Sequence, residues 1–160
     1  MTKKILALLL TFVSLTSIAL AWKSAEWKVS FTEPAGWQKG WVTEEGVKFA
    51  SPDGKGDISL MCERSQQAVM TQAEAERHIK QNQNWPMPHS RVLGSKIVKI
   101  NGITMVKTTI AIDLRGGQRT TMYSTIRNHI DYTFMLNCEA NAFSRMAPVL
   151  DNVVKSAKFQ

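Results

Sequence analysis

The chain has no Asn-x-Ser/Thr triplet. It therefore offers no N-glycan acceptor, which fits bacterial export better than a eukaryotic secretory route. Long apolar runs are missing as well. The stretch Ile5–Val13 is broken by Thr11 and followed by Ser14, Thr16 and Ser17, so it falls short of the ~20 apolar residues of a membrane-spanning helix. Histidine is scarce, with His78, His89 and His129 the three in the chain. None is paired in a recognised motif with a serine, cysteine or acid, and a nucleophile needs a base within hydrogen-bond reach. Asp57, Asp113 and Asp131 read as strand ends or wet-face positions, so a pair of inward carboxylates for glycoside hydrolysis is not indicated either. The reading is a protein that is not an enzyme. Internal repeats and low-complexity linkers are absent, which leaves one domain. Clusters of basic residues are absent too. The formal charge of +7 is scattered, which excludes the basic stripe of a nucleic-acid-binding protein.

What is present begins with a leader. Lys3 and Lys4 precede an apolar centre, and Ala19-Leu20-Ala21 closes it with an A-x-A pattern. Residues 1–21 are expected to be a cleaved secretory signal peptide, leaving residues 22–160 as a single domain with no integral membrane segment. No cysteine lies near the junction, so a lipid-modified anchor is not supported. The expected location is the periplasm, or outside the cell. There the remaining positive charge makes anionic envelope surfaces, phospholipid or peptidoglycan, the candidates for weak contact. Cys62 and Cys138 are the two cysteines. Both fall on the apolar side of strand-like runs, and in an oxidising compartment an even count suggests a disulfide between them. Closing a loop of that length would contribute on the order of 4 kcal/mol.

Periodicity supplies the elements. Residues His129–Ala140 carry Ile130, Tyr132, Phe134, Leu136, Cys138 and Ala140 at every second position, the signature of a strand with one buried face. The intervening positions are polar except for Met135. Earlier strands are expected at Trp27–Phe31, Gly40–Thr43, Val47–Ala50 and Asp57–Glu63. A meander is expected at Ser95–Asn101, Ile103–Leu114 and Gln118–Arg127, with a tight turn at Asn101-Gly102 and another at Gly116-Gly117. Thr71-Gln72-Ala73-Glu74 has the form of a capping box and predicts a helix over Thr71–Asn84. Its apolar face is thin, with Ala75 and Ile79, and Glu76 and Lys80 stand at i,i+4 spacing. Pro86 and Pro88 end it. Phe143, Met146, Ala147, Leu150, Val153 and Val154 predict a second, fully packed helix over Ser144–Ser156, with Pro148 tolerable in its first turn. Trp27 and Trp37 are assigned to the core.

Two motifs resemble a known group. Phe31-x-x-Pro34-x-Gly36-Trp37 follows a first strand, and Phe49-x-x-Pro52-Asp53-Gly54 follows a hairpin. With the central helix, the meander and the terminal run Val153–Phe159, the chain resembles the PsbP-like superfamily. That group holds the photosystem II extrinsic protein PsbP, the Ran-binding factor Mog and small exported bacterial proteins. The resemblance implies an α+β fold, an α/β/α sandwich around a central antiparallel sheet. It also implies a binding or assembly role rather than catalysis. The leader argues against a photosystem or Ran role.

No cofactor and no metal is expected. Met87 and His89 are a thioether and an imidazole, which suit copper, but a site needs three or four convergent donors. The Asp53-Gly54-Lys55-Gly56-Asp57 loop lacks the spaced ligands of a calcium loop. Trp85, Met87 and His89 are the candidate partner surface, since tryptophan is enriched at interfaces. The expected function is a non-catalytic exported binding or accessory protein acting on an unidentified envelope protein. The alternative is an immunity or inhibitor protein that neutralises a secreted toxin or a cell-wall-degrading enzyme.

Overall fold

The computed structural model describes residues 20–83, 88–113 and 117–160. The expected signal segment and the Gly116 half of the Gly116-Gly117 turn fall outside them, apart from Leu20 and Ala21. Ten strands and two α-helices occur among the described residues. In chain order they are β1 Ala21–Ser24, β2 Val29–Thr32, β3 Gln38–Thr43, β4 Gly46–Ala50, β5 Gly56–Arg64, α1 Gln72–Gln83, β6 Ser90–Ile100, β7 Ile103–Ile112, β8 Gln118–Arg127, β9 Ile130–Glu139, α2 Phe143–Ser156 and β10 Lys158–Phe159. Among these residues no helix is long and apolar enough to cross a membrane.

Seven strands form one antiparallel sheet in the order β3-β4-β5-β9-β8-β7-β6. Its centre is β9, whose even positions are all buried. Tight turns set the meander. Asn101 and Gly102 both take positive φ, at 51° and 77°, the geometry of a two-residue hairpin loop that follows strand twist. Asn128 and His129 do the same at 51° and 62°, so His129 belongs to the turn and β9 starts at Ile130.

One face of this sheet carries the main core. α2 lies on it through Met146, Leu150, Val153 and Val154, all buried. Beside α2 sits a second, three-stranded sheet in the order β1-β2-β10. The sequence pattern did not announce β1 or β10, because strands of four and two residues are too short to show a period. Phe31 of β2 joins the layers. Its ring lies 5.3 Å from Trp22, 6.0 Å from Phe49 and 5.8 Å from Phe134. Trp27 is buried as expected, but in the turn before β2 rather than in a strand. Its indole N–H donates to the Glu44 carbonyl, and the Arg64 guanidinium stands over its ring at 5.0 Å. The Tyr132 hydroxyl donates to the Trp27 carbonyl at 2.7 Å. A polar cluster also ties α2 to the sheet: the Tyr123 hydroxyl and Lys107 Nζ both donate to Asp151 Oδ1, at 2.7 and 3.1 Å.

The resemblance motifs are turns. Pro34 is buried and Gly36 has φ 76°, which brings the Trp37 amide to the Pro34 carbonyl at 3.2 Å. Asp53 gathers the second motif, accepting from the Ser51 hydroxyl, the Lys55 amide and Arg145. These bonds hold its carboxyl down at about 2. These contacts hold the turn together.

The expected disulfide is corrected. Cys62 and Cys138 are both free and buried. Cys62 pairs with Tyr132 and Cys138 with Gly56 on the same β5–β9 ladder, so the run from Tyr132 to Cys138 separates them. At ~3.3 Å per residue that is roughly 20 Å, whereas a disulfide needs Cα atoms within about 7 Å. Both cysteines face the core because both sit at even positions, but the shared parity says nothing of their distance along the strand. α2 starts at Phe143 after a short 3₁₀ turn over Ala140–Ala142, so Pro148 stands in its second turn rather than its first.

Candidate functional site

α1 is capped as the sequence predicts, with the Glu74 amide donating to Thr71 Oγ1 at 3.1 Å. The expected Glu76–Lys80 pair is replaced by Arg77 on Glu74 at 3.0 Å, and Glu76 accepts from Gln72. Only Ala75 of this helix is buried. With Met70, Val106 and Ile126 it forms a small second core, against which Ile79 and Ile97 pack. α1 thus rests on the β6–β7 side of the sheet, opposite α2. Among the described residues no helix packs on the same face over β5, β9 and β8, although Ser59, Thr120 and Met122 are buried there.

That part of the face is built rung by rung from the strand register. At one end Thr120 donates to Asn137 at 2.8 Å, Asn137 reaches Asp57 at 3.4 Å, and Lys48 pairs with Asp57 at 3.2 Å. A recess of about 430 Å³ opens there, lined by Lys48, Asp57, Gln118 and Asn137 among others. On the next rung Met122 faces Met135, and Met135 faces Ser59. On the third, Ser124 faces Thr133 and Thr133 faces Met61, the two hydroxyls 3.3 Å apart. On the fourth, Asp131 lies between Ile126 and Glu63.

The last three rungs and α1 enclose a groove of about 310 Å³. Met61, Glu63, Met122, Asp131, Thr133 and Met135 line it from the sheet, with His78 and Asn82 from the helix. Asn82 is fixed by donating to Thr108 Oγ1 at 3.0 Å. The Asp131 carboxyl is pushed up from its ordinary value, first by burial, with Glu63 adding to the effect and His78 opposing it. Its Oδ1 is buried with no hydrogen-bond partner among the described residues.

The site differs from the sequence expectation. Trp85 and Met87 lie outside the described residues. His89 is exposed in the turn before β6 with φ 59°, and it does not line the groove. His78, read as a solvated helix position, and Asp131, read as a wet-face acid, meet here instead. Met135 was the available signal: it is the single apolar residue on the outward side of β9. Its meaning needed the register, which places Met122 directly opposite. Among the described residues no three His, Cys, Asp or Glu side chains come together as a metal site.

No protein-family model matches the chain, and no curated protein matches it. Solved structures do. Cyanobacterial PsbP (CyanoP) from Synechocystis sp. PCC 6803 is similar over 94% of this chain and 99% of its own, with TM-score 0.63 and 13% identity. A Bacteroides thetaiotaomicron VPI-5482 protein is similar over 88% of this chain and 48% of its own, with TM-score 0.64 and 13% identity. Protein PA94 of Pseudomonas aeruginosa, of unknown function, is similar over 86% of this chain and 94% of its own, with TM-score 0.55 and 12% identity. At these identities the likeness speaks for architecture alone, and the architecture of this chain is the PsbP-like α+β fold.

Proposed function

We propose that this is a non-catalytic accessory protein of the bacterial cell envelope, which binds a partner protein through the groove between α1 and the β5, β9 and β8 strands. The observation that carries this reading is the asymmetry of the sheet. One face is sealed by α2 and the small sheet, while among the described residues α1 packs on the β6–β7 side of the other. What remains is a groove with thioether walls, hydroxyls at its floor and charged ends. Methionine-lined surfaces adapt their shape to a partner, and the flanking polar rungs supply orientation. The leader pattern of residues 1–21 supports export.

The test is site-specific photo-crosslinking in living cells. A photoreactive residue at Thr133, inside the groove, should give one dominant adduct with an envelope protein. The same residue at Ser144, exposed on α2, should not. Identical adduct patterns at the two positions, or none at Thr133, would refute the reading.

A further inference from the structure

Four acids stand on the strands of the large sheet: Asp57 and Glu63 on β5, Asp131 and Glu139 on β9. Two of them have cations. Lys48 pairs with Asp57 at 3.2 Å and Lys55 with Glu139 at 3.5 Å. Among the described residues no lysine or arginine pairs with Glu63 or Asp131. Yet these two are direct cross-strand partners, and both line the groove beside α1. Side chains directly opposite have Cβ atoms roughly 5 Å apart, and like charges placed so destabilise a sheet. The setting of Asp131 adds to that cost. Its Oδ1 is buried without a hydrogen-bond partner among the described residues, and burial pushes the carboxyl up, with Glu63 adding to the effect. The chain carries 20 lysines and arginines against 13 acids, so basic residues are not in short supply. The facing pair is nonetheless left for a cation from outside.

We infer that the groove receives an arginine side chain of the partner protein, its guanidinium held by Asp131 and Glu63 and its stem against the methionine walls. Met61 stands one rung from the acid pair, opposite Thr133, and Met135 one rung further, opposite Ser59. A rung advances two residues, about 7 Å along the strand, comparable in length to an extended arginine side chain. The hydrocarbon stems of basic side chains lie along apolar surface, and thioethers adapt their shape to them. Guanidinium suits the site better than ammonium. Its planar fork donates to two carboxyls at once, and its weaker hydration lowers the cost of entering a partly buried site. Charge decides against other occupants. An acidic segment would bring a third negative charge to the pair, and a wholly apolar one would leave the Asp131 carboxylate uncompensated. The inference rests on the groove being a protein-binding face and names what the partner presents to it.

The probe is N-acetyl-arginine methylamide, titrated into the protein carrying ¹³C-labelled methionine methyls. Its control is the uncharged isostere N-acetyl-citrulline methylamide. The arginine amide should shift Met61 and Met135 saturably and leave Met105 and Met146 still, since these are buried in the core on the opposite face. The citrulline amide should bind at least about 10-fold more weakly. Asp131→Asn keeps the shape and removes the charge, and should cost the arginine amide at least about 10-fold in affinity. Because burial disfavours the ionised carboxyl, this variant should fold with a Tm no lower than that of the wild type. The comparison of the two amides needs no variant, so a folding defect would not shelter the inference. It is overturned if the arginine amide leaves the groove methyls still at millimolar concentration, if the citrulline amide binds as tightly, or if Asp131→Asn binds the arginine amide unchanged. The Thr133 crosslink separates this inference from the reading beneath it. An adduct that survives Asp131→Asn undiminished keeps the docking face and refutes the arginine. If no adduct forms in the wild type, the docking face itself fails and the arginine with it.

Discussion

Melting the air-purified protein with and without a reductant distinguishes two states of Cys62 and Cys138. If the two were joined, the crosslink would contribute on the order of 4 kcal/mol through the loop it closes. For a domain of this size each kcal/mol moves Tm by about 3 °C, so reductant should then lower Tm by more than about 10 °C. The strand register forbids that bond, since Cys62 opposite Tyr132 and Cys138 opposite Gly56 lie at different levels of one ladder. The expected result is a Tm that does not move with reductant. A thiol titration supplies the second readout. Burial pushes the Cys62 thiol up to about 12, with Asp131 adding to it, and burial pushes Cys138 up to about 11. At pH 8 the reactive thiolate would be only about 10⁻³ to 10⁻⁴ of each. Ellman's reagent should therefore find almost no thiol in the native protein and both after denaturation. A large reductant-dependent fall in Tm, with no thiol found after denaturation, would refute the register and with it the placement of the groove.

Two further substitutions probe what holds the sheet's layers and loops. Asp151→Ala leaves the Tyr123 hydroxyl and Lys107 without their common acceptor, and urea unfolding should show a loss of about 1–3 kcal/mol; a loss under about 0.5 kcal/mol would mean that this cluster does not anchor α2. Asp53→Asn should lower Tm near neutral pH, because the carboxylate holds Ser51, the Lys55 amide and Arg145 together. Its folded value of about 2 lies below the ordinary 3.8, so the stability it adds is present above that ordinary value and fades as pH falls toward 2. The Tm gap between wild type and variant should narrow over that interval and vanish below it, and a gap as large at pH 2 as at neutral pH would contradict the assignment.

Much of the scaffold is legible from local pattern. The even positions of β9, the Asn101-Gly102 turn, the Thr71 cap and the apolar stripe of α2 each depend on residues within one turn or one strand. A period of two or 3.6 residues records such placement directly. The sequence by itself also determined which side of each strand enters the core, and so the burial of Cys62 and Cys138. Three things depended on tertiary structure. The distance between the two cysteines follows from β5–β9 register, a pairing of segments far apart in the chain. The strands β1 and β10 exist because β2 offers them an edge, and four or two residues carry no period of their own. The groove arises because α1, with one buried residue, rests on the β6–β7 side of a sheet face that extends on over β8, β9 and β5. Sequence order put His78, Asp131 and the three methionines on four separate elements. Strand pairing brought them together, because side chains on neighbouring strands meet according to register rather than to their separation along the chain.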